Sequence, residues 1–526
     1  MSEKKQISTA TAVMGAATGL SRIAGLVRDM VVASLFGAGF GTDAFFMAFT
    51  IPNLLRRFFA EGALTAAFVP TFSTVYHKQG ADEARKVADI CWTLLLLVML
   101  GVTLLGIWAS PVIVRAIGAG YGAVAGKLVL TDFLNRLMFP YIFFVSLLAL
   151  VTGILNVLGH YFFPSFSTVL LNVSMIVCAV LLAPLFPVQP IVALAIGVLI
   201  GGFLQLALQF PVLRRKGIRL RFNFNFSHPS VKRIAQLMLP GLAGVAIYQI
   251  NVVVSRLLAS YLPEGSVSYL YYGQRLFELP QGIFVVSLAQ AVLPAMSRQA
   301  AGGDHDGLKE SLRFSLVLIS IVTLPAAAGL IVCAVPVYSL FFMRGAFSYQ
   351  DVSQTALALG AYAPGLLFVG VSRILVPTFY ALQDTRTPVW VSFWTFLVNA
   401  ILGLILMGPL RHVGLALALS LSSVCNCLLL VWLLRGKIGS LGLFAVSSSL
   451  LRAFPATLFM AGCTWLILQT VDWQMPGLSL GKMLVLGCAV AVGIAIYCGA
   501  CLVCGVTEIR DGLQLVWRKL GLAGKA

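Results

Sequence analysis

Charge is what this chain has least of. Of its 526 residues only 10% are Asp, Glu, Lys or Arg, against about 25% in an ordinary soluble domain. No long polar stretch is present, which excludes an enzyme with a large water-soluble domain tethered to a membrane. Acids are the rarest charges, 18 against 36 basic residues. The five histidines (His77, His160, His228, His305, His412) fall near the ends of apolar runs, none at ligand spacing from another. Ten cysteines lie almost wholly in apolar runs. Cys498, Cys501 and Cys504 stack on one helical face, but no histidine or acid shares their segment, so they read as small apolar residues and no metal is expected. No cofactor is expected either. Gly37, Gly39 and Gly41 in FGAGFGTD imitate part of a dinucleotide fingerprint, yet no strand precedes them, and they read as a tight turn between helices.

Apolar surface is what fills the chain. The apolar fraction is 60% and the mean hydropathy is +0.97. A water-soluble fold has no interior large enough to hide that much, so an all-α polytopic membrane protein is expected. The net charge of +18 would suggest nucleic acid in a soluble protein. Here it points to cytoplasmic loops facing anionic lipid, with no nucleic-acid partner. MSEKKQ before ISTATAVMGAATGL imitates a signal peptide, but the segment runs on through Arg22, Arg28 and Asp29 into MVVASLFG, so a longer helix is expected instead.

Windows of about 20 apolar residues place spans near 8–36, 42–74, 88–112, 129–158, 165–185, 190–213, 231–260, 267–297, 312–335, 354–382, 387–408, 413–435, 449–470 and 482–505. These fourteen spans put both termini on one side. The termini and even-numbered loops carry 23 Lys+Arg and the odd-numbered loops 5 (Arg115, Lys127, Arg344, Arg411, Lys482), so both termini are expected in the cytoplasm.

An internal repeat underlies the spans. Residues 41–73 lay over 265–297, both opening on Gly and closing on an apolar-Pro-x-x-Ser pattern. The offset of 224 also relates Pro70 to Pro294, Pro140 to Pro364 and Pro164 to Pro388. A repeated unit of six helices gives two parallel copies, an N-lobe (1–224) and a C-lobe (225–448) around a central cavity, with two extra helices and a tail in 449–526. Such lobes are transporter architecture, alternating access by rocking.

Eight arginines remain inside the spans: Arg22, Arg28, Arg56, Arg57, Arg136, Arg256, Arg275 and Arg373. Each costs at least about 2.5–3.5 kcal/mol at mid-bilayer unless paired or snorkelling. Arg136, Arg256 and Arg373 suit snorkelling or bonds to nearby carbonyls. Arg22 lies near the middle of its span. Seven residues separate it from Asp29, within about 20° of one face, so these two could pair. Arg22 and Arg28 converge on one ligand only if Gly19 and Gly25 let the helix bend. Arg57 and Glu61 are one turn apart and suit a pair, which points Arg56 elsewhere. Arg275 and Glu278 suit a bridge, and Pro280 and Gly282 weaken the helix just after them. Arginines on spans 1, 2 and 8 suit an anionic head such as phosphate or pyrophosphate.

The run SRIAGLVRDMVVASLFGAGFGTDAFFMAFTIPNLLRRFFAEGALTAAFVPTF (21–72) closely resembles the MurJ (MviN) family of bacterial lipid II flippases. So do GSVSYLYYGQRLFELPQGIF (265–284) and FPYIFFVSLLALVTGILN (139–156). The resemblance covers nearly the whole chain. It implies the multidrug/oligosaccharidyl-lipid/polysaccharide (MOP) exporter fold and a place in the bacterial inner membrane. It implies movement of lipid II, the undecaprenyl-pyrophosphate disaccharide-pentapeptide, from the inner to the outer leaflet. It implies substrate-binding roles for Arg22, Arg28, Arg56 and Arg275, with Glu61 beside them. It also implies an acid at Asp43 near the outer end of span 2, and a lipid-tail groove on spans 13 and 14. Asp29, Asp43, Arg57 and Glu278 are expected as supporting charges. Besides lipid II, membrane lipids and the cell-wall synthesis machinery are the implied partners. Many relatives carry Asp before the span 8 arginine; here Gln274 stands there, and no acid lies within 231–260 or 387–408, so no sodium site is assigned.

Other readings fare less well on the residues. A cationic-drug exporter calls for acids and aromatics rather than arginines. A membrane glycosyltransferase calls for acids or a metal in an outer loop, and the longest one expected, 113–128, has neither acid nor histidine. A scaffold has no use for buried arginines. An exporter of another polyprenyl-linked glycan stays open, since its pyrophosphate presents the same charge.

Overall fold

The computed structural model describes residues 3–58, 64–477 and 479–506, with side chains from Met14 onward apart from Ala66 and 239–248. Among the described residues every regular element is a helix. Lipid imposes this, because a spanning segment has to satisfy its own backbone. Nine helices are long and apolar enough to cross a bilayer, or ten if one bent pair counts as a span, again among the described residues. The chain divides into two compact units, 1–268 and 269–526.

The first unit holds α1 (Glu3–Phe36), α2 (Phe40–Arg56), α3 (Leu64–Gln79), α4 (Ala81–Ile117), α5 (Lys127–Met138), α6 (Tyr141–Val157), α7 (Phe162–Leu182), α8 (Val192–Ala207), α9 (Gln209–Arg215) and α10 (Pro229–Ser260). Gly37, at φ 65°, closes α1, and the FGAGFG run is the turn expected of it. α7 and α8 approach closely because α8 carries Gly197 and Gly201 one turn apart. A Cβ on Gly197 would sit 2.8 Å from the Met175 Cα, and one on Gly201 3.0 Å from the Leu171 Cα. Small residues at this spacing are how membrane helices bring backbones together.

The second unit holds most of α11 (Ser266–Pro280), then α12 (Val286–Ala301), α13 (His305–Phe341), α14 (Tyr349–Tyr362), α15 (Gly365–Ala381), α16 (Arg386–Ile438), α17 (Leu443–Leu468) and α18 (Leu480–Val503). A five-residue π segment, Gln281–Val285, joins α11 to α12. It lies where Pro280 removes a donor and Gly282 loosens the chain. α17 packs on α13 and α18, and the Tyr497 hydroxyl donates to the Ile321 carbonyl at 2.7 Å.

Several expected spans depart from a single uninterrupted α-helix. Span 42–74 stops being α-helical after Arg56, and π geometry begins at Arg57 and Phe58. Span 129–158 breaks at Phe139–Pro140 between α5 and α6. Span 354–382 breaks at Ala363–Pro364, where α14 and α15 bend by 42°. Spans 387–408 and 413–435 form the continuous run α16, which turns at Arg411 (φ 50°, ψ −132°). The Asn426 side chain donates to the Thr395 hydroxyl at 2.9 Å, 31 residues away. A straight helix of that length would hold them roughly 46 Å apart, so α16 is folded back on itself as two antiparallel helices. Several helices have counterparts 224 residues on: α4 and α13 match at both ends, as do α6 and α15, and α1 and α10 end 224 apart.

Candidate functional site

Arg28 and Asp29 are buried on α1, 5% and 4% exposed. The Arg28 guanidinium donates to Asp29 Oδ1 through Nε (3.0 Å) and Nη2 (2.6 Å), and through Nη1 to Asn172 Oδ1 (3.0 Å) on α7. Asn172 in turn donates to the Ser21 and Thr168 carbonyls, both at 3.3 Å. A buried ion pair holds only when its remaining donors are bonded, and Asn172 supplies that bond. Asp29 therefore pairs with its neighbour and not with Arg22, as the seven-residue spacing suggested. Side chains one apart point to different faces, but the long arginine curls across to its neighbour's carboxylate. Arg22 is exposed on the same helix, with no carboxylate paired to it among the described residues.

Asp43 is a second buried acid, in the first turn of α2 and 1% exposed. Its Oδ2 accepts from Lys127 Nζ on α5 (2.9 Å) and from the Gly265 amide (2.8 Å). Its Oδ1 accepts from the Ser268 amide (3.0 Å) and hydroxyl (2.7 Å). Gly265 and Ser268 belong to the start of α11, so Asp43 caps that helix, whose N-terminal amides and dipole favour a carboxylate. The favour is returned. Glu264 Oε1 accepts from the Phe40 amide at 2.5 Å, the first residue of α2. Lys127, 2% exposed, also lies 4.5 Å over the Tyr121 ring.

Arg56 donates through Nε to Asn53 Oδ1 at 3.0 Å. Glu61, and with it the expected Arg57–Glu61 pair, lies outside the described residues. Arg136 pairs with Asp132 at 2.9 Å, one turn back, rather than snorkelling alone. In the second unit the expected bridge is present, Arg275 Nη1 to Glu278 Oε2 at 3.4 Å, with both side chains 41% exposed. The Tyr271 hydroxyl accepts from Arg275 Nε (3.2 Å) and Nη2 (2.9 Å), and Gln274 donates to Glu278 Oε1 at 3.3 Å. Tyr271 and Glu278, the latter bonded by Gln274, thus hold the guanidinium from along its own helix, just before the π segment.

Several residues escaped the sequence reading. Lys127 was placed in an outer loop by its position between apolar runs. Asn172, Glu264 and Ser268 carry no local signal, since their partners lie far away in the chain. Tyr271 was findable: it stands four residues before Arg275, on the same helical face. No group of His, Cys, Asp or Glu suited to a metal occurs among the described residues.

Comparison with known proteins places this arrangement. The family described as lipid II flippase MurJ matches residues 32–483. A probable lipid II flippase MurJ of Vibrio cholerae serotype O1 is 39% identical over 488 residues, 91% of each chain. The lipid II flippase MurJ of Burkholderia cenocepacia is 34% identical, covering 86% of this chain and 89% of its own. Among solved structures, a lipid II flippase MurJ in an inward closed conformation superposes with a TM-score of 0.76 at 26% identity, over 95% of this chain and all of the other. An inward-facing multidrug transporter of the MATE family, in the MOP superfamily, superposes at 0.68 with 15% identity, over 82% of this chain and 98% of its own, a likeness of fold alone. The helical fold, the charged groups held on α1, α2 and α11, and these matches lead to one conclusion: the chain belongs to the lipid II flippase MurJ family.

Proposed function

We propose that this protein is a flippase carrying lipid II from the inner to the outer leaflet of the bacterial cytoplasmic membrane by alternating access. It is a transporter and no reaction is catalysed. The observation that carries the reading is Arg22, an exposed guanidinium in an otherwise apolar stretch of α1, in a chain of this family. A cation there is costly unless an anion meets it. Arg22, Arg28, Arg56 and Arg275 bind the pyrophosphate, with Glu61 beside them. Asp29, Asp43, Arg57 and Glu278 hold these cations or their helices in place.

The same proposal extends to the layout. The chain has fourteen spans, with both termini in the cytoplasm. An N-lobe (1–224) and a parallel C-lobe (225–448) are six-helix copies, and 449–526 carries the tail-binding helices. The helix ends that recur at an offset of 224 support the repeat. The fold-back in α16 supports counting it as two spans. An apolar groove of about 410 Å³ between α13 and α18, with Leu340, Phe341, Leu486 and Val490 among its walls, suits a polyprenyl tail. Cell-wall synthesis enzymes are the expected neighbours that supply and use the lipid.

The test is complementation in bacteria whose own flippase can be shut off, reading how much lipid-linked disaccharide-pentapeptide becomes accessible from outside. The intact chain should restore exposure, whereas Arg22→Ala and Arg275→Ala, expressed equally, should not. An intact, well-inserted chain that restores nothing would move the substrate to another polyprenyl-linked glycan.

A further inference from the structure

The link between α9 and α10 is neither helix nor simple loop. Residues 214–233 carry seven Lys+Arg and no acid. After Gly217 turns the chain at φ 78°, residues 218–225 lie outside any helix and run beside α4. The Arg221 amide donates to Asp89 Oδ1 and the Asn223 amide to the Thr93 hydroxyl, each at 2.9 Å. Two extended residues advance about 6.6 Å and four helical residues about 6 Å, so the two rungs keep step. The segment therefore climbs α4 in the direction of Asp89 to Thr93.

That direction leads into the bilayer. Asp89 is the last charged residue of α4 before Arg115, and residues 90–114 carry no charge. Trp92 lies at the same level, as aromatic residues do at a membrane interface. The chain then turns at its tip, with the Asn225 amide bonding the Asn223 side chain and the Phe226 amide the Phe224 carbonyl. It descends until His228 Nε2 meets Glu83 Oε1 at 3.0 Å. The tip thus lies about 6 Å beyond the last charge of α4, the depth at which interfacial segments bury their apolar faces. There it presents Phe222 and Phe224, 67% and 64% exposed and stacked on one another at 6.5 Å. Two bare phenylalanines at the tip of a polar loop are unfavourable in water and favourable among acyl chains.

The arms of this loop carry the charge. Lys216, Arg219 and Arg221 are exposed on the rising arm, and Lys232 and Arg233 follow the descending one. At the base lies a small cleft lined by Tyr76, Arg85, Lys216 and Ile218, where Arg85 also meets Asp82 at 3.2 Å.

We propose that residues 216–228 form a membrane-dipping loop that binds anionic phospholipid. Phe222 and Phe224 enter the acyl region, Lys216, Arg219 and Arg221 hold phosphate headgroups, and the cleft seats one of them. That the leaflet is the cytoplasmic one follows the orientation proposed above; the lipid binding itself does not depend on which substrate is carried.

The test places the photoreactive residue benzoylphenylalanine at position 224 of the full chain, in nanodiscs of phosphatidylethanolamine and phosphatidylglycerol. The same residue at Leu104, 60% exposed midway along the apolar run of α4, is the control that reports bulk lipid. Position 224 should yield lipid adducts enriched about fivefold in phosphatidylglycerol over the control, the scale of one basic residue at a membrane surface. Changing Lys216, Arg219 and Arg221 together to Gln should bring that ratio back to the control's. Protein or water adducts at 224, with lipid adducts at 104, would overturn the dipping loop. Lipid adducts at 224 with no enrichment would overturn the anionic preference. Neither result bears on flipping, which complementation reads separately.

Discussion

Arg22 and Arg28 stand six residues apart on one helix and are held in opposite ways. Arg28 is spent on Asp29 and Asn172, whereas Arg22 is exposed. Arg28→Ala leaves a buried carboxylate without its cation and should cost about 3–5 kcal/mol. Arg22→Ala removes a cation that has no paired carboxylate among the described residues, and should cost no stability, while abolishing complementation. Thermal unfolding in detergent separates the two, and equal losses would make Arg22 structural. The two capping acids differ in the same way. Asp43→Asn sets an amide against Lys127 and the Gly265 N–H, and should cost about 3 kcal/mol. Glu264 is exposed, and Glu264→Gln should lose under about 1 kcal/mol. Comparable melting of the two variants would refute the burial argument. At this scale only part of the pairing was legible. Spacing along a helix picks out partners one turn apart, as for Arg275 and Glu278. It is silent on Asn172, 144 residues from Arg28.

Helices were the more legible level. Apolar run length is set by bilayer thickness, and nine helices, or ten with one bent pair, are long and apolar enough to cross it among the described residues. Their internal breaks were legible only in part. Pro280 and Gly282 announced the π segment, and Pro140 and Pro364 mark breaks after which a helix restarts. Yet Pro111, Pro325 and Pro336 lie inside continuous helices, and the carbonyl that Pro325 frees, that of Ile321, accepts from the Tyr497 hydroxyl on α18. Helix-to-helix distance is set by glycines whose role depends on what faces them. Gly201→Val should push α8 from the Leu171 backbone and lower the unfolding midpoint by several degrees, a loss of about 2 kcal/mol. Gly101→Ala faces open space and should be neutral or gain up to about 1 kcal/mol. A Gly201→Val variant that melts with the parent would show that α7 and α8 do not depend on close approach.

Across the whole molecule, the offset of 224 read from three prolines reappears in the ends of full helices. The two units divide at 268/269, inside α11. A hydropathy pattern has no means to reveal this, since it follows from which residues touch. The turn from α15 to α16 is tied to the far end of the α16 fold-back by Asp384 and Lys437, 2.7 Å apart. Burial opposes the Asp384 charge, but hydrogen bonds from Lys437 and Thr387 outweigh it and hold the carboxyl below its usual range. A depressed carboxylate stabilises the fold above its ordinary pKa of about 3.9, and that gain is lost as pH falls through the lower folded value. Asp384→Asn should therefore melt earlier than the parent at pH 7, by about 1 kcal/mol. The gap should close as the pH is taken below about 4. A gap independent of pH would mean that the carboxylate charge contributes nothing.

The π segment after Arg275 has one more consequence. A wide turn holds a surplus residue that the axial rise does not need, and such a surplus can travel. If the turn migrates toward the C-terminus, each residue it passes swings by about 100° around the axis while both helix ends stay where they are. Gln281–Val285 therefore gives this helix a swivel. One stretch of its surface can be exchanged for another without tilting the rod.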